Sequence, residues 1–178
     1  MAVSALFALV PEAEPHVAHW RERFDPAARR ALGAHITIMY PLLAPELLDE
    51  AALDRMAGIA ASVAAFRFKL THVARFVSTI YLAPKPASRF AGLHEQIRQA
   101  FPANGADDHA AYVPHLSVAR GVGEDEHGVE AELKGLLARH GPIDCVCRAL
   151  SLMENGSGLW RELRRFELAP GAMEGAMS

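Results

Sequence analysis

Two short segments of this chain share one pattern: HITIMYPL, residues 35–42, and PHLSVAR, residues 114–120. Both contain a histidine, an apolar residue, a hydroxyl residue and another apolar residue, and the two histidines are 80 positions apart. The β-branched and apolar content of each segment predicts a strand. Side chains at i and i+2 of a strand face the same side, so each segment presents an imidazole beside a hydroxyl. The pairs are His35 with Thr37 and His115 with Ser117.

The sequence around the two motifs predicts an alternation of strands and helices. An apolar run at residues 1–10 predicts a buried first strand, and a hairpin is expected around Ser78. The element order reads β α β α β β α β α β β, which indicates an α+β chain with a crude internal duplication, built as two lobes with helices outside. The predicted helices are residues 11–24, 25–32, 45–63, 87–101 and 124–139, and the predicted closing strands are residues 143–154 and 159–169.

Length and composition narrow the class of protein. The 178 residues predict a single domain over residues 1–168, with a disordered tail at residues 169–178. Eighteen Lys and Arg against 21 Asp and Glu give a net charge of −3, which argues against a protein that grips long duplex nucleic acid. No apolar run is long enough for a membrane span. The two cysteines, Cys145 and Cys147, favour a reducing compartment, so we expect a cytoplasmic protein. We also expect a monomer.

The repeated pair of side chains suits phosphodiester chemistry. If the two lobes pack with approximate two-fold symmetry, both imidazoles and both hydroxyls converge on one groove. A neutral imidazole takes a proton from the attacking water while a protonated one donates to the leaving oxygen, and an ordinary pKa of about 6.5 lets both forms coexist near neutrality. The hydroxyls of Thr37 and Ser117 can bind the non-bridging phosphate oxygens.

On HITIMYPL and PHLSVAR the sequence resembles the 2H phosphoesterase superfamily, which includes the RNA 2′,3′-cyclic phosphodiesterases also called 2′-5′ RNA ligases. The resemblance implies a bilobal, pseudo-two-fold arrangement of two antiparallel sheets around a central cleft. It also implies catalysis by His35, Thr37, His115 and Ser117 with no metal and no cofactor.

Other residues are candidates for substrate contacts or for alternative sites. Arg120 directly follows the second motif and is predicted to reach a phosphate, while Tyr40 and Trp160 are predicted to stack on a base. His16 and His19 have the spacing of two helical metal ligands but lack a third, so a solvated face is expected. The adjacent Asp107 and Asp108 are expected only to solvate a loop, and His72, His94, His109, His127 and His140 are expected on the surface or in structural roles.

Three functions are consistent with these residues. The first is hydrolysis of a cyclic phosphate or phosphodiester on a nucleotide or short RNA end. The second is a non-catalytic module that binds a nucleotide or RNA end, although binding alone would be served better by permanently charged Arg or Lys. The third is RNA 2′-5′ ligation, which a chain of net negative charge is poorly suited to perform. The sequence leaves open the natural substrate, the leaving oxygen and which histidine is acid and which is base.

Overall fold

The computed structural model of the chain describes residues 2–102, 111–121 and 126–171. Two four-stranded antiparallel sheets and four α-helices make up this part of the chain. The strands are β1 (Ser4–Leu9), β2 (His35–Met39), β3 (Phe66–Arg75), β4 (Thr79–Lys85), β5 (Leu116–Arg120), β6 (Ile143–Cys147), β7 (Ala149–Glu154) and β8 (Arg161–Glu167). The helices are α1 (Glu14–Phe24), α2 (Glu50–Ser62), α3 (Ser88–Ala100) and α4 (Glu126–His140).

The two sheets are built in the same way. The strand order is β2-β1-β7-β8 in the first sheet and β5-β4-β3-β6 in the second, so that each motif-bearing strand, β2 or β5, is an edge strand paired to one neighbour. β1-α1-β2 in the first half corresponds to β4-α3-β5 in the second. The predicted α+β architecture, with two antiparallel sheets related by an internal duplication, is confirmed.

The helices tie the two halves together. α1 packs against β5 of the second sheet and α3 packs against β2 of the first sheet, while β2 and β5 also contact each other. Phe90, Leu93 and Ile97 are buried on one face of α3 at i, i+3 and i+7, as expected for an amphipathic helix. Each half therefore covers the motif strand of the other, which fixes the two motifs relative to one another.

The segment at residues 143–154 was predicted as one strand, and this is wrong. β6 ends at Cys147 and β7 begins at Ala149, and the two strands belong to different sheets, β6 paired with β3 and β7 with β1. The burial pattern changes at this break, since β6 alternates between buried and accessible residues whereas every residue of β7 is buried. Arg148 is thus the point at which the chain crosses between sheets.

Residues 25–32 were predicted as a helix, and only a single 3-10 turn, Ala28–Arg30, forms there. Asp25 ends α1, and its side chain accepts a hydrogen bond from the amide of Ala27 at 3.0 Å, which bends the backbone into a turn. Ala31 then adopts a left-handed conformation with φ of 62°. The resulting loop is short and lies beside the first motif strand.

The remaining elements lie close to their predicted positions. Both cysteines are buried and free. Ala169, at the start of the predicted tail, exchanges backbone hydrogen bonds with Val63 and Ala65, and residues 172–178 lie outside the described residues. None of the helices in the described residues is long and apolar enough to cross a membrane.

Candidate active site

The two motif histidines are held by the same backbone contact. His35 is the first residue of β2, and its Nδ1 lies 2.7 Å from the carbonyl oxygen of Gly33. His115 immediately precedes β5, and its Nδ1 lies 2.7 Å from the carbonyl oxygen of Val113. A carbonyl oxygen can only accept, so Nδ1 of each ring carries the donated proton. Nε2 is consequently the nitrogen of each ring that remains for proton transfer.

Each motif strand also carries a β-bulge at the same motif position. In the first sheet the pairing moves from Leu6 with Met39 to Phe7 with Thr37, which leaves Ile38 as the extra residue. In the second sheet it moves from Ile80 with Ala119 to Tyr81 with Ser117, which leaves Val118 as the extra residue. Bulges bend a strand and change where its side chains point. Both motifs are therefore presented by the same local distortion.

Aromatic rings support the two imidazoles from neighbouring strands. Phe7 of β1 packs edge-on against His35 with ring centroids 4.7 Å apart, and Tyr81, its counterpart in β4, lies 5.3 Å from His115. Phe76 adds a second ring at 4.9 Å from His115. These contacts restrict the imidazoles to one orientation each. Phe76 is 39% exposed and lies beside the site.

Both histidines line one cavity of about 360 Å³ between the two lobes. Six of the seven residues predicted from the sequence line it: His35, Thr37, Tyr40, His115, Arg120 and Trp160. Phe7, Pro26, Ala27, Arg30, Leu32 and Asn155 complete the lining. The structure thus brings together in one cavity predicted residues that are up to 125 positions apart in the chain, from His35 to Trp160.

Ser117 is the predicted residue that does not line this cavity. Its side chain is only 3% exposed, and its hydroxyl accepts a hydrogen bond from Nη2 of Arg120 at 3.0 Å. In the described structure the serine therefore holds Arg120, which does line the cavity. The two halves differ here, since Thr37 itself faces the cavity.

A buried ion-pair network supports Arg120 from behind. Asp25 is wholly buried and accepts hydrogen bonds from Nε and Nη2 of Arg21 at 3.2 and 3.0 Å. Its other carboxylate oxygen lies 3.9 Å from Nε of Arg120. Neither Arg21 nor Asp25 was predicted from the sequence. Their i, i+4 spacing across the end of α1 is the only signal, and it is equally typical of a solvent-exposed pair.

Burial changes the electrostatics of both imidazoles. His35 is 4% exposed, and desolvation lowers its pKa to about 4, with Arg21 and Arg120 adding to the effect. His115 is half-buried, and desolvation lowers its pKa as well, with a contribution from Arg120. This differs from the expectation of two ordinary imidazoles, because both rings lose hydrating water. In the unliganded protein both rings are consequently neutral at pH 7, and His35 resists protonation more strongly.

A larger cavity of about 850 Å³ adjoins the first. Thr37, Tyr40 and His115 line both cavities, so the second histidine stands at the boundary between them. His94 also lines the larger cavity, where its ring stacks on Tyr112 with centroids 4.1 Å apart. From the sequence, His94 has no predicted partner and Tyr112 has no predicted role.

Other candidate residues lie away from these cavities or outside the described residues. The ring of His19 packs against Trp20 at 3.8 Å on α1, away from both cavities. Asp107, Asp108 and His109, and the side chain of His127, lie outside the described residues. In the parts of the chain that the structure describes, no three His, Cys, Asp or Glu side chains are placed to hold a metal ion.

Comparison with known proteins identifies the family to which this chain belongs. The family model of the 2′-5′ RNA ligase superfamily matches residues 9–159, and the chain belongs to that superfamily. The resemblance seen in the two motif segments is thereby confirmed. No curated protein sequence matches the chain significantly.

Solved structures share the fold at low sequence identity. Escherichia coli LigT complexed with 3′-AMP superposes with a TM-score of 0.62 at 15% identity, covering 93% of this chain and 97% of that one. A structure described as a phosphoesterase gives a TM-score of 0.59 at 14% identity, covering 95% and 99% of the two chains. The protein TT0787 of Thermus thermophilus gives 0.56 at 14% identity, covering 94% and 98%. The chain therefore has the LigT-like fold.

Proposed function

We propose that this protein is a metal-independent phosphoesterase that hydrolyses a cyclic phosphate or phosphodiester of a nucleotide or RNA end by two-histidine acid/base catalysis. The observation that carries the proposal is the pair of imidazoles on one cavity, each with Nδ1 fixed by a backbone carbonyl and Nε2 left for proton transfer. Arg120 supplies a charged phosphate ligand beside them.

The different burial of the two imidazoles supports a role for each. His35, with a pKa of about 4, is neutral over a wide pH range and so acts as the general base. His115 is less buried, so it takes up a proton on Nε2 more readily once the negative charge of the substrate phosphate lies beside it, and it acts as the general acid. In the reaction His35 removes a proton from water, the water oxygen bonds to phosphorus, the bond to the leaving oxygen breaks, and His115 donates its proton to that oxygen. The non-bridging oxygens are bound by the Thr37 hydroxyl and by Arg120, which Ser117 holds in place.

A nucleotide is the favoured substrate because the cavity combines aromatic and cationic groups. Trp160 and Tyr40 provide rings for a base, and Arg30 and Arg120 provide charge for phosphate. Escherichia coli LigT, which shares the fold, has been solved with 3′-AMP, NADP⁺ and ATP. That protein's ligands support nucleotide chemistry as the first class of compound to test on this chain.

The decisive experiment is turnover of nucleoside 2′,3′-cyclic monophosphates with and without chelator, followed by 2′-5′ and 3′-5′ linked dinucleotides. We expect hydrolysis of at least one substrate and the same rate after exhaustive chelation, since the motif residues supply acid, base and phosphate donors. Tight nucleotide binding without turnover would favour the binding-module alternative. Loss of activity in chelator, restored by a divalent metal, would contradict the mechanism.

A further inference from the structure

The larger cavity lies where a substrate would continue past the histidine pair. It shares Thr37, Tyr40 and His115 with the smaller cavity, so a phosphate bound between the histidines in the smaller cavity lies next to the larger cavity on the side of His115. Pockets for small organic ligands are on the order of 300 to 1,000 Å³. At about 850 and 360 Å³ both cavities fall in this range, and the larger one exceeds what a phosphate alone needs.

The walls of the larger cavity offer accessible aromatic surface. Tyr40 is 54% exposed and Phe76 is 39% exposed, although both have large apolar rings. Both line the larger cavity together with Tyr112. Aromatic rings that stay accessible beside a site are suited to stacking on a flat ligand ring, as nucleobase-binding proteins use them.

One wall is fixed to the strand that carries the first motif. Nδ1 of His94 donates to the carbonyl oxygen of Ile38 at 2.8 Å, and the Tyr112 hydroxyl donates to the carbonyl oxygen of Thr37 at 2.7 Å. The two rings are parallel to within 3°. This wall is therefore preorganised, which lowers the entropy lost when a ligand binds.

The two cavities differ in charge. In the larger cavity Arg98 and Glu95 neutralise each other through two hydrogen bonds of 2.8 Å, and these bonds hold the pKa of Glu95 near 2. The described lining of the smaller cavity contains Arg30 and Arg120 and no carboxylate. The smaller cavity therefore favours an anion, whereas the larger favours a group without net charge.

We propose that the larger cavity is the subsite for the group on the far side of the scissile phosphate, and that this group is uncharged, aromatic and of nucleoside size. The preferred substrate is then a linear phosphodiester with a nucleoside on each side, in preference to a cyclic monophosphate that fills one cavity only. This inference rests on the proposed function. It adds the identity of the leaving group, which would be a nucleoside bound in the larger cavity.

A matched pair of substitutions separates the two cavities. Ala91 lies on α3 and lines only the larger cavity, and Ala27 lines only the smaller one. Ala91→Leu and Ala27→Leu add the same side chain to each, and leucine keeps the helix propensity of position 91. The activities to compare are kcat/KM for a dinucleoside monophosphate and for a nucleoside 2′,3′-cyclic monophosphate. Thermal melts check folding, and Ala91→Met replaces the leucine variant if that one unfolds.

We expect Ala91→Leu to lower kcat/KM for the dinucleoside monophosphate by about 10-fold or more and to change it less than about 2-fold for the cyclic substrate. Ala27→Leu is expected to lower both. The inference is overturned if Ala91→Leu leaves kcat/KM for the dinucleoside monophosphate unchanged, or if it lowers kcat/KM for both substrates equally. The proposed function would stand in either case.

Adenosine binding separates the inference from the proposed function. If the parent hydrolyses neither substrate, the proposed function fails, and titration of parent and variants with adenosine then decides about the cavity. Binding that Ala91→Leu weakens and Ala27→Leu spares supports a nucleoside subsite there. Binding that is absent, or unchanged in Ala91→Leu, rules the subsite out.

Discussion

The two halves of the molecule present the same backbone and different environments. β1-α1-β2 and β4-α3-β5 share the bulge within the motif strand, the bond from each Nδ1 to a carbonyl two residues earlier, and an aromatic ring on the neighbouring strand. They differ in the burial of the imidazole and in the residue five positions after it, Tyr40 in one half and Arg120 in the other. Duplication thus places two equivalent imidazoles, and the differences around them support the unequal roles that we propose.

Removal of either imidazole should have the largest effect. We expect His35→Ala and His115→Ala each to lower kcat/KM by about 10² to 10⁴-fold, as loss of a general acid or base does. Steady-state kinetics on the best substrate measures this, with circular dichroism to verify that each variant folds. Near-normal activity in one variant would mean that only one half of the molecule takes part in the chemistry.

The motif hydroxyls test whether the halves bind phosphate in different ways. Thr37→Ala and Ser117→Ala should each lower kcat/KM by about 10 to 10³-fold without moving the limbs of the pH profile, because neither side chain titrates in this range. Thr37→Ser and Ser117→Thr, which keep the hydroxyl, serve as controls and should retain most activity. Since Ser117 acts by holding Arg120, Ser117→Ala should cost little more in a variant that already lacks Arg120.

The greater burial of His35 should appear in the stability of the protein. Its pKa of about 4, against about 6.5 in the unfolded chain, means that the unfolded state binds more protons between these values. The contribution of the neutral His35 ring to the free energy of unfolding is therefore complete above pH 6.5. It is lost as the pH falls toward 4, which lowers the free energy of unfolding by about 3 kcal/mol.

Urea denaturation between pH 4 and pH 7 measures this loss. His35→Asn should remove that part of the pH dependence, since an amide does not titrate. Ser117→Ala, a substitution at an equally buried motif residue, should leave the dependence of the unfolding free energy on pH as it is in the parent. If the unfolding free energy of His35→Asn depended on pH as strongly as that of the parent, the greater burial of the His35 imidazole would be contradicted.

Replacement of Tyr40, the residue five positions after His35, should have the smallest effect. Tyr40→Leu should raise KM by about 5-fold through lost stacking and leave kcat nearly unchanged, since base stacking contributes roughly 1 to 3 kcal/mol. Arg120→Met, at the counterpart position, should lower kcat at least as much as Ser117→Ala does, because the proposed mechanism has Arg120 bind the phosphate. If Tyr40→Leu and Arg120→Met raised KM equally and left kcat unchanged, Arg120 would take no part in the chemical step.

The motif spacing predicted that His35 and His115 face one cavity, because two strands of the same type in a duplicated chain lie in equivalent places. The order of the strands in each sheet could not be predicted from the sequence. Periodicity in residues 143–154 indicates which side chains are buried but not which sheet buries them, so the crossing at Arg148 appears only in the structure. The burial of the Arg21–Asp25 pair and the contact of Tyr112 with Thr37 depend on tertiary packing between α1, β5 and β2, and no local pattern encodes that packing.

The most direct test of unequal roles compares two leaving groups in the same two variants. A dinucleoside monophosphate needs a proton on its leaving oxygen, whereas the 4-nitrophenyl ester of the same nucleotide releases a stable anion without one. If His115 is the acid and His35 the base, His115→Ala should lose most of its activity on the dinucleoside monophosphate and recover much of it on the 4-nitrophenyl ester. His35→Ala should be equally impaired on both. Recovery in His35→Ala instead, or equal losses of both variants on both substrates, would contradict the assignment that the structure supports.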